Sequence, residues 1–364
     1  MIRVGLVGSG VGLRTHAPAF ASTGASVVQS VYSPSFDKLR IAAQKFGIAN
    51  VCRAAQDVIY DKNLDLVIIA SPNDTHGEYV RMCVDAHKAF LCEKPLGSSA
   101  REARRIAKLI PRNYRPWHGV NHQLRFNPYL RRMRDLVRSG EIGPPISLRI
   151  SQVGTGFSDP QAAWSWSFDQ AAGGGVRLAM GSHLVDLAMF LLDDGFARID
   201  ASMHPVIKSR KRGEEDVAVN VSSTFVAFGE MVSGTILELS ATAAGFSGNE
   251  FAVEIFCERG ELRFNLLNKL RLFRRGNTDA DAIVEVDGVS EDERANRVSI
   301  FSGSFPYFAK AIVEDIEAGR SVTQDACSIS EAVVTSDVLD RALTAYRRQR
   351  SVNIAAIKSD RTSF

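Results

Sequence analysis

The sequence predicts an α/β unit with a parallel sheet, followed by an α+β unit built around an antiparallel meander. Three observations carry that expectation. Residues 1 to about 120 alternate short apolar runs with amphipathic stretches. From about residue 146, strand-like runs instead follow one another across tight turns. At 364 residues the chain is also too long for one ordinary core, which points to two domains, 1–120 and 121–364.

In the first unit, strands are expected at 4–7, 26–32, 66–70 and 89–91, with a later one at 118–120. The clearest is Asp65-Leu66-Val67-Ile68-Ile69-Ala70, an almost continuous apolar run. Helical patterns at 37–46 and 77–86 lie between them. Strands apolar on both sides need cover on both, so the sheet is expected to be parallel and doubly wound by helices. In the second unit a strand is expected at 146–153 and a helix at 182–192. Runs 217–228 and 231–242 flank Gly229-Glu230, a two-residue hairpin signal. Runs 251–257 and 261–266 flank Arg259-Gly260, and 270–274 follows Asn268-Lys269. Helices at 305–318 and 328–348 close the chain and could pack back on the first unit.

Apolar residues make up 45% and charged residues 23%, the balance of a soluble globular protein. The net charge is only +3, and the basic cluster Lys208 to Arg212 lacks interleaved aromatics, which argues against a nucleic-acid partner. No apolar stretch is long enough to span a bilayer, and the chain runs straight into a strand rather than a signal peptide. Cys52, Cys83, Cys92, Cys257 and Cys327 have no C-x-x-C spacing. That argues against a zinc site or disulfide framework and fits a reducing cytoplasm.

Gly8-Ser9-Gly10-Val11-Gly12-Leu13 follows the first strand and precedes a helix. The first Gly allows the tight turn, and the second lets backbone N–H groups approach a pyrophosphate at the helix N-terminus. The third Gly of G-x-G-x-x-G is displaced to Gly12. An acid is expected roughly 20 residues further on to hold the ribose 2′-OH of NAD. Here the second strand ends in Tyr32-Ser33-Pro34-Ser35, with Lys38 in the next turn. Ser33 leaves room for a 2′-phosphate and Lys38 could pair with it, so the reading leans toward NADP over NAD.

Leu91-Cys92-Glu93-Lys94-Pro95 puts an acid, a base and a rigid Pro at the end of the strand 89–91. Partial burial there suits a Lys to proton transfer. With the fingerprint come His16, Ser71-Pro72-Asn73 with His76, Asn121 with Arg125-Phe126-Asn127-Pro128, and Gly173-Gly174-Gly175 with Gly181-Ser182-His183 and Asp186. In this order the motifs resemble the glucose–fructose oxidoreductase / inositol dehydrogenase / rhizopine catabolism (Gfo/Idh/MocA) family. The resemblance implies a Rossmann domain, then a domain with a large, mostly antiparallel sheet whose open face supports a homodimer or homotetramer. It also implies hydride exchange between a nicotinamide and a hydroxyl or carbonyl carbon of a sugar, sugar derivative or cyclitol.

Catalysis in such proteins uses the Lys of E-K-P and the Asp and His of D-x-G-x-H. The Lys matches Lys94 and the His matches His183, but Ala179 stands where the Asp belongs. A catalytically silent nucleotide-binding sensor of the same fold is the rival reading. The resemblance further implies that Pro95 takes a cis bond. Glu93 would support geometry near the nicotinamide, with His16 and Asn73 along the cofactor. His76 either faces the cofactor or caps the next helix. Asn121 and Arg125 either bind substrate oxygens or tie the domain junction together. Trp164 and Trp166 either wall a sugar site or pack in the core. Asp186 either binds a sugar hydroxyl or pairs locally, and no metal site is expected from His183 and Asp186.

Overall fold

The computed structural model describes residues 1–267, 269–276, 282–284, 286–289 and 299–348, so Asn268 of the expected 268–269 turn lies outside it. β1 (Ile2–Val7), β2 (Ser26–Tyr32), β3 (Asn50–Cys52), β4 (Leu66–Ile69), β5 (Ala89–Cys92) and β6 (His118–Val120) form the first sheet. Every pairing is parallel, in the order β3-β2-β1-β4-β5-β6. The period of two along β4 explains its unbroken apolar sequence. Leu66 and Ile68 face one core with Leu6, Val31 and Leu91. Val67 and Ile69 face the other with Val80, Phe90 and Ile106. Strand order reverses between β1 and β4, which opens a crevice at the carboxyl ends of the strands.

Helix Ile300–Glu317 completes the first of these cores with Phe305, Phe308 and Ile312, although it comes from the far end of the sequence. Helix Ile329–Arg348 lies against helices Ala100–Ala107 and Gly181–Leu192, joining the two units.

The second sheet holds β7 (Pro145–Val153), β8 (Phe196–His204), β11 (Thr224–Met231), β12 (Ile236–Thr242), β13 (Glu250–Cys257), β14 (Gly260–Asn265), β15 (Lys269–Arg274) and β16 (Ala282–Ile283). Their order is β16-β15-β14-β13-β7-β12-β11-β8, antiparallel except where β7 and β12 run parallel. One face carries Leu148, Ile150, Leu237, Leu239, Val253 and Ile255 into a core beneath helix Gly181–Leu192. The other is open and ion-paired: the Arg149 guanidinium donates to Glu238 at 2.9 Å and Glu254 at 3.1 Å.

Two expectations here need correction. The run 217–228 is not one strand. Its start belongs to a separate hairpin of β9 (Ser209–Arg212) and β10 (Glu215–Ala218), and β11 begins only at Thr224. The turn at Gly229-Glu230 is also misplaced. Both residues lie inside β11, paired with Leu237 and Ile236, and the chain reverses after Met231. Gly229 is small because a Cβ there would meet the Arg198 carbonyl oxygen at 2.8 Å. The turn uses Gly234 instead, at φ +90°.

Candidate active site

The crevice at the ends of β1, β4 and β5 deepens into a cleft of about 700 Å³ between the two sheets. Gly8, Ser9, Gly10 and Val11 line one end of it. Gly8 sits at φ +115°, and a Cβ there would come within 2.2 Å of the Ala70 carbonyl oxygen, so no other residue fits this turn. Nothing lies within 4 Å of where a Gly10 Cβ would stand, leaving that backbone open to an approaching group. Gly12 and Leu13 are buried and start the following helical turn, Gly12–His16, and a Cβ at Gly12 would meet Ala70 and Leu6 only at ordinary contact distances of 3.7 and 3.8 Å. The displaced third glycine is thus demanded neither by space nor by a positive φ. The whole arrangement suits a dinucleotide pyrophosphate at a helix N-terminus.

Ser33 and Pro34 line the same end of the cleft, as do Ser71, Pro72 and Asn73 after β4. Lys38 does not; it stands exposed on helix Phe36–Lys45, outside the cleft. A basic side chain that does line the cleft is Arg14, exposed on the turn after the glycines and without an ion-pair partner among the described residues. Its place four residues after Gly10 is the signal for it that the sequence carries.

Glu93 is the hub of the other end. His16 Nε2 lies 2.7 Å from its Oε1, Asn121 Nδ2 donates to the same oxygen at 2.7 Å, and the Lys94 N–H donates to Oε2 at 3.1 Å. Burial alone would raise its pKa, but bonding and charge from His16, Lys94 and Asn121 outweigh that and pull it down to about 2. Asn121 and His16 therefore support Glu93, and neither lines the cleft. His76 is fully buried between the Pro95 carbonyl at 3.1 Å and the Ser71 carbonyl at 3.1 Å, also off the cleft, where it pins two cleft loops together. The Lys94–Pro95 peptide is cis.

Lys94 and His183 both line the cleft. Lys94 Nζ donates to the Ala179 carbonyl oxygen at 2.6 Å. Where the resemblance expects a carboxylate at 179, the backbone supplies the acceptor. Burial lowers the Lys94 pKa, and Glu93 opposes the shift only in part. His183 falls well below the ordinary histidine value through burial, then the charges of Lys94 and His122, so its imidazole is neutral. Its Nδ1 is buried and unpartnered.

Arg125 and Asp186 meet each other instead of the cleft. The guanidinium grips the carboxylate at 2.7 and 2.9 Å, and reaches Glu331 at 2.8 Å. His122 Nδ1 stands 3.4 Å from Asp186 and its ring 5.8 Å from that of His183. His122, Asp186 and Cys327 do cluster within 4.8 Å, so a buried carboxylate stands beside a histidine that the sequence reading left out. Arg125 already neutralises that carboxylate on both oxygens, leaving no charge for a cation. Trp166 lines the cleft at 39% exposure, whereas Trp164 packs under the Arg212 guanidinium at 3.5 Å and does not. A further groove of about 570 Å³ runs past Arg125, Arg134, Asp193 and Asp325, all of them already ion-paired.

Residues 2–119 match the oxidoreductase family with an NAD-binding Rossmann fold, and residues 130–263 match the GFO/IDH/MocA C-terminal domain. The chain belongs to the Gfo/Idh/MocA oxidoreductase family. Among curated relatives, 1,5-anhydro-D-fructose reductase of Ensifer adhaerens is 32% identical over 218 residues, 59% of this chain and 64% of the relative. Among solved structures, a levoglucosan dehydrogenase complex with NADH and L-sorbose superposes with a TM-score of 0.83 at 21% identity, covering 95% of this chain and 96% of that one. The super-repressor mutant of Gal80p from Saccharomyces cerevisiae shares the same fold, with a TM-score of 0.78 at 17% identity over 95% and 96% of the two chains. Among the described residues, no helix of this family member is long and apolar enough to cross a membrane.

Proposed function

We propose that the protein is an NAD(P)-dependent dehydrogenase or reductase acting on a CH–OH carbon of a sugar, sugar derivative or cyclitol. The observation that carries this reading is the pairing of Lys94 and His183 in one cleft with the open Gly8–Gly10 turn. A bound nicotinamide supplies the hydride acceptor or donor. In the oxidising direction, Lys94 donates a hydrogen bond to the substrate oxygen and neutral His183 receives its proton. Glu93 keeps the Lys94 strand end in register through its bond to the Lys94 N–H. Trp166 offers an aromatic face to the C–H side of a sugar ring.

A sensor that binds nucleotide without chemistry is the second reading, supported by Ala179 and by the shared fold of Gal80p. The two are separated by following nicotinamide absorbance with levoglucosan, 1,5-anhydro-D-fructose and myo-inositol. Turnover of any of them supports the enzyme. Tight dinucleotide binding with no turnover across the panel contradicts it.

The cofactor is proposed to be NADP rather than NAD. No acid stands at the Tyr32-Ser33-Pro34 tip, and Arg14 lines the same cleft without an ion-pair partner among the described residues. Its guanidinium suits a 2′-phosphate. Arg14→Ala is expected to weaken NADP roughly ten-fold and to leave NAD within about two-fold. Tighter binding of NAD than NADP by the unaltered protein would reverse this assignment.

A further inference from the structure

The cleft wall carries a buried side-chain amide that neither the fold nor the reaction so far uses. Gln123 opens the single-turn helix Gln123–Phe126, is 7% exposed and lines the cleft. Its amide oxygen is buried without a partner, and its amide nitrogen makes no hydrogen bond among the described residues. Folded proteins pair nearly all of their buried polar groups. An unpaired amide at the edge of a ligand cleft is free to pair with a ligand.

The surroundings hold Gln123 in that place. The Asn121 N–H donates to the Cys92 carbonyl at 2.8 Å, and the His122 N–H to the Val120 carbonyl at 2.9 Å. On the other side Arg125 is clamped by Asp186, and Phe126 stacks on Phe308 with centroids 4.3 Å apart. The backbone that carries Gln123 is therefore fixed on both sides. Its neighbours also locate it. Asn121 is bonded to Glu93, next to Lys94, and the His122 ring lies 5.8 Å from His183. Gln123 thus belongs to the reacting end of the cleft and not to the Gly8–Gly10 end.

A primary amide presents one acceptor and two donors in a plane. A hydroxyl both donates and accepts, so it can satisfy either end of the amide, whereas an anion can satisfy only the donors. We propose that Gln123 binds a hydroxyl of the polyol substrate other than the one oxidised, and so selects substrates by where that hydroxyl lies. The proposal rests on the functional reading above.

Gln123→Met keeps the unbranched apolar stem and removes the amide. Calorimetric titration of the dinucleotide-loaded protein with levoglucosan and myo-inositol, and with mono-deoxy analogues of the tighter binder, tests the assignment. The variant is expected to bind the parent polyol roughly three- to ten-fold more weakly, with dinucleotide affinity unchanged. One deoxy analogue is expected to bind both proteins equally, because it lacks the hydroxyl that the amide holds. Equal polyol affinity in both proteins overturns the proposal. So does equal weakening for every analogue, which marks a packing role, or a loss confined to the dinucleotide, which marks a nicotinamide contact. If the unaltered protein binds no polyol at all, the functional reading fails as well, a result distinct from the other three.

Discussion

Lys94→Ala is expected to lower kcat by roughly 10²- to 10⁴-fold while dinucleotide affinity stays within a few-fold. Among the described residues, Lys94 is the cation that bonds across the cleft to the Ala179 carbonyl, which holds its ammonium beside His183 in the cleft lining. Because Ala179 carries no charge, the orientation of Lys94 depends on that carbonyl and on the strand end fixed by Glu93. Steady-state kinetics together with dinucleotide titration separate chemistry from binding. The pH profile gives a second reading of the same pair. His183 must be neutral to accept a proton, and its pKa lies well below 6.5, so the acid limb of kcat/KM is expected below that value. Lys94 must stay protonated, and its pKa is lowered from 10.5, so the alkaline limb is expected below 10.5. An acid limb at the ordinary histidine value, or an unchanged kcat in Lys94→Ala, removes these residues from the mechanism.

Arg125→Ala is expected to destabilise the protein by about 3–5 kcal/mol, because it strands the buried carboxylate of Asp186 without its partner. Asp186 is 1% exposed and Arg125 3%, and Glu331 ties the same guanidinium to helix Ile329–Arg348. A double variant, Arg125→Met with Asp186→Leu, is expected to recover most of that loss, since no lone charge is left behind. Denaturant unfolding of Arg125→Met, Asp186→Leu and the double variant gives the coupling. A loss of substrate affinity with unchanged stability would instead make Arg125 a substrate ligand.

That pair shows what the sequence could and could not disclose. Glu93-Lys94-Pro95 and the Gly8-x-Gly10 turn were legible because their chemistry is local: residues adjacent in sequence share one strand end or one turn. Arg125 and Asp186 lie 61 positions apart, and their spacing leaves open whether each faces substrate or the other. Lys38 and Arg14 are both basic and near the nucleotide turn, but they sit on different helical elements, and the tertiary placement of those elements brings only Arg14 to the cleft. Trp164 and Trp166 are two residues apart in an irregular loop, so no period told which would be exposed. The hairpin turn failed for a related reason. Gly229 answers a close approach by β8, a neighbour set by tertiary pairing, while Gly234 alone carries the turn conformation. Gln123 left no signal in the sequence, because its significance is the absence of a partner.

The central claim is that hydride passes between a nicotinamide and a carbon bearing a hydroxyl in the cleft between Lys94 and His183. A panel polyol deuterated at its oxidised carbon, incubated with the protein and oxidised dinucleotide, tests this directly by mass spectrometry of the nucleotide. One deuterium is expected on the nicotinamide ring for each carbonyl formed, with the transfer largely lost in Lys94→Ala. Dinucleotide bound tightly, with no label transferred from any polyol of the panel, would contradict it.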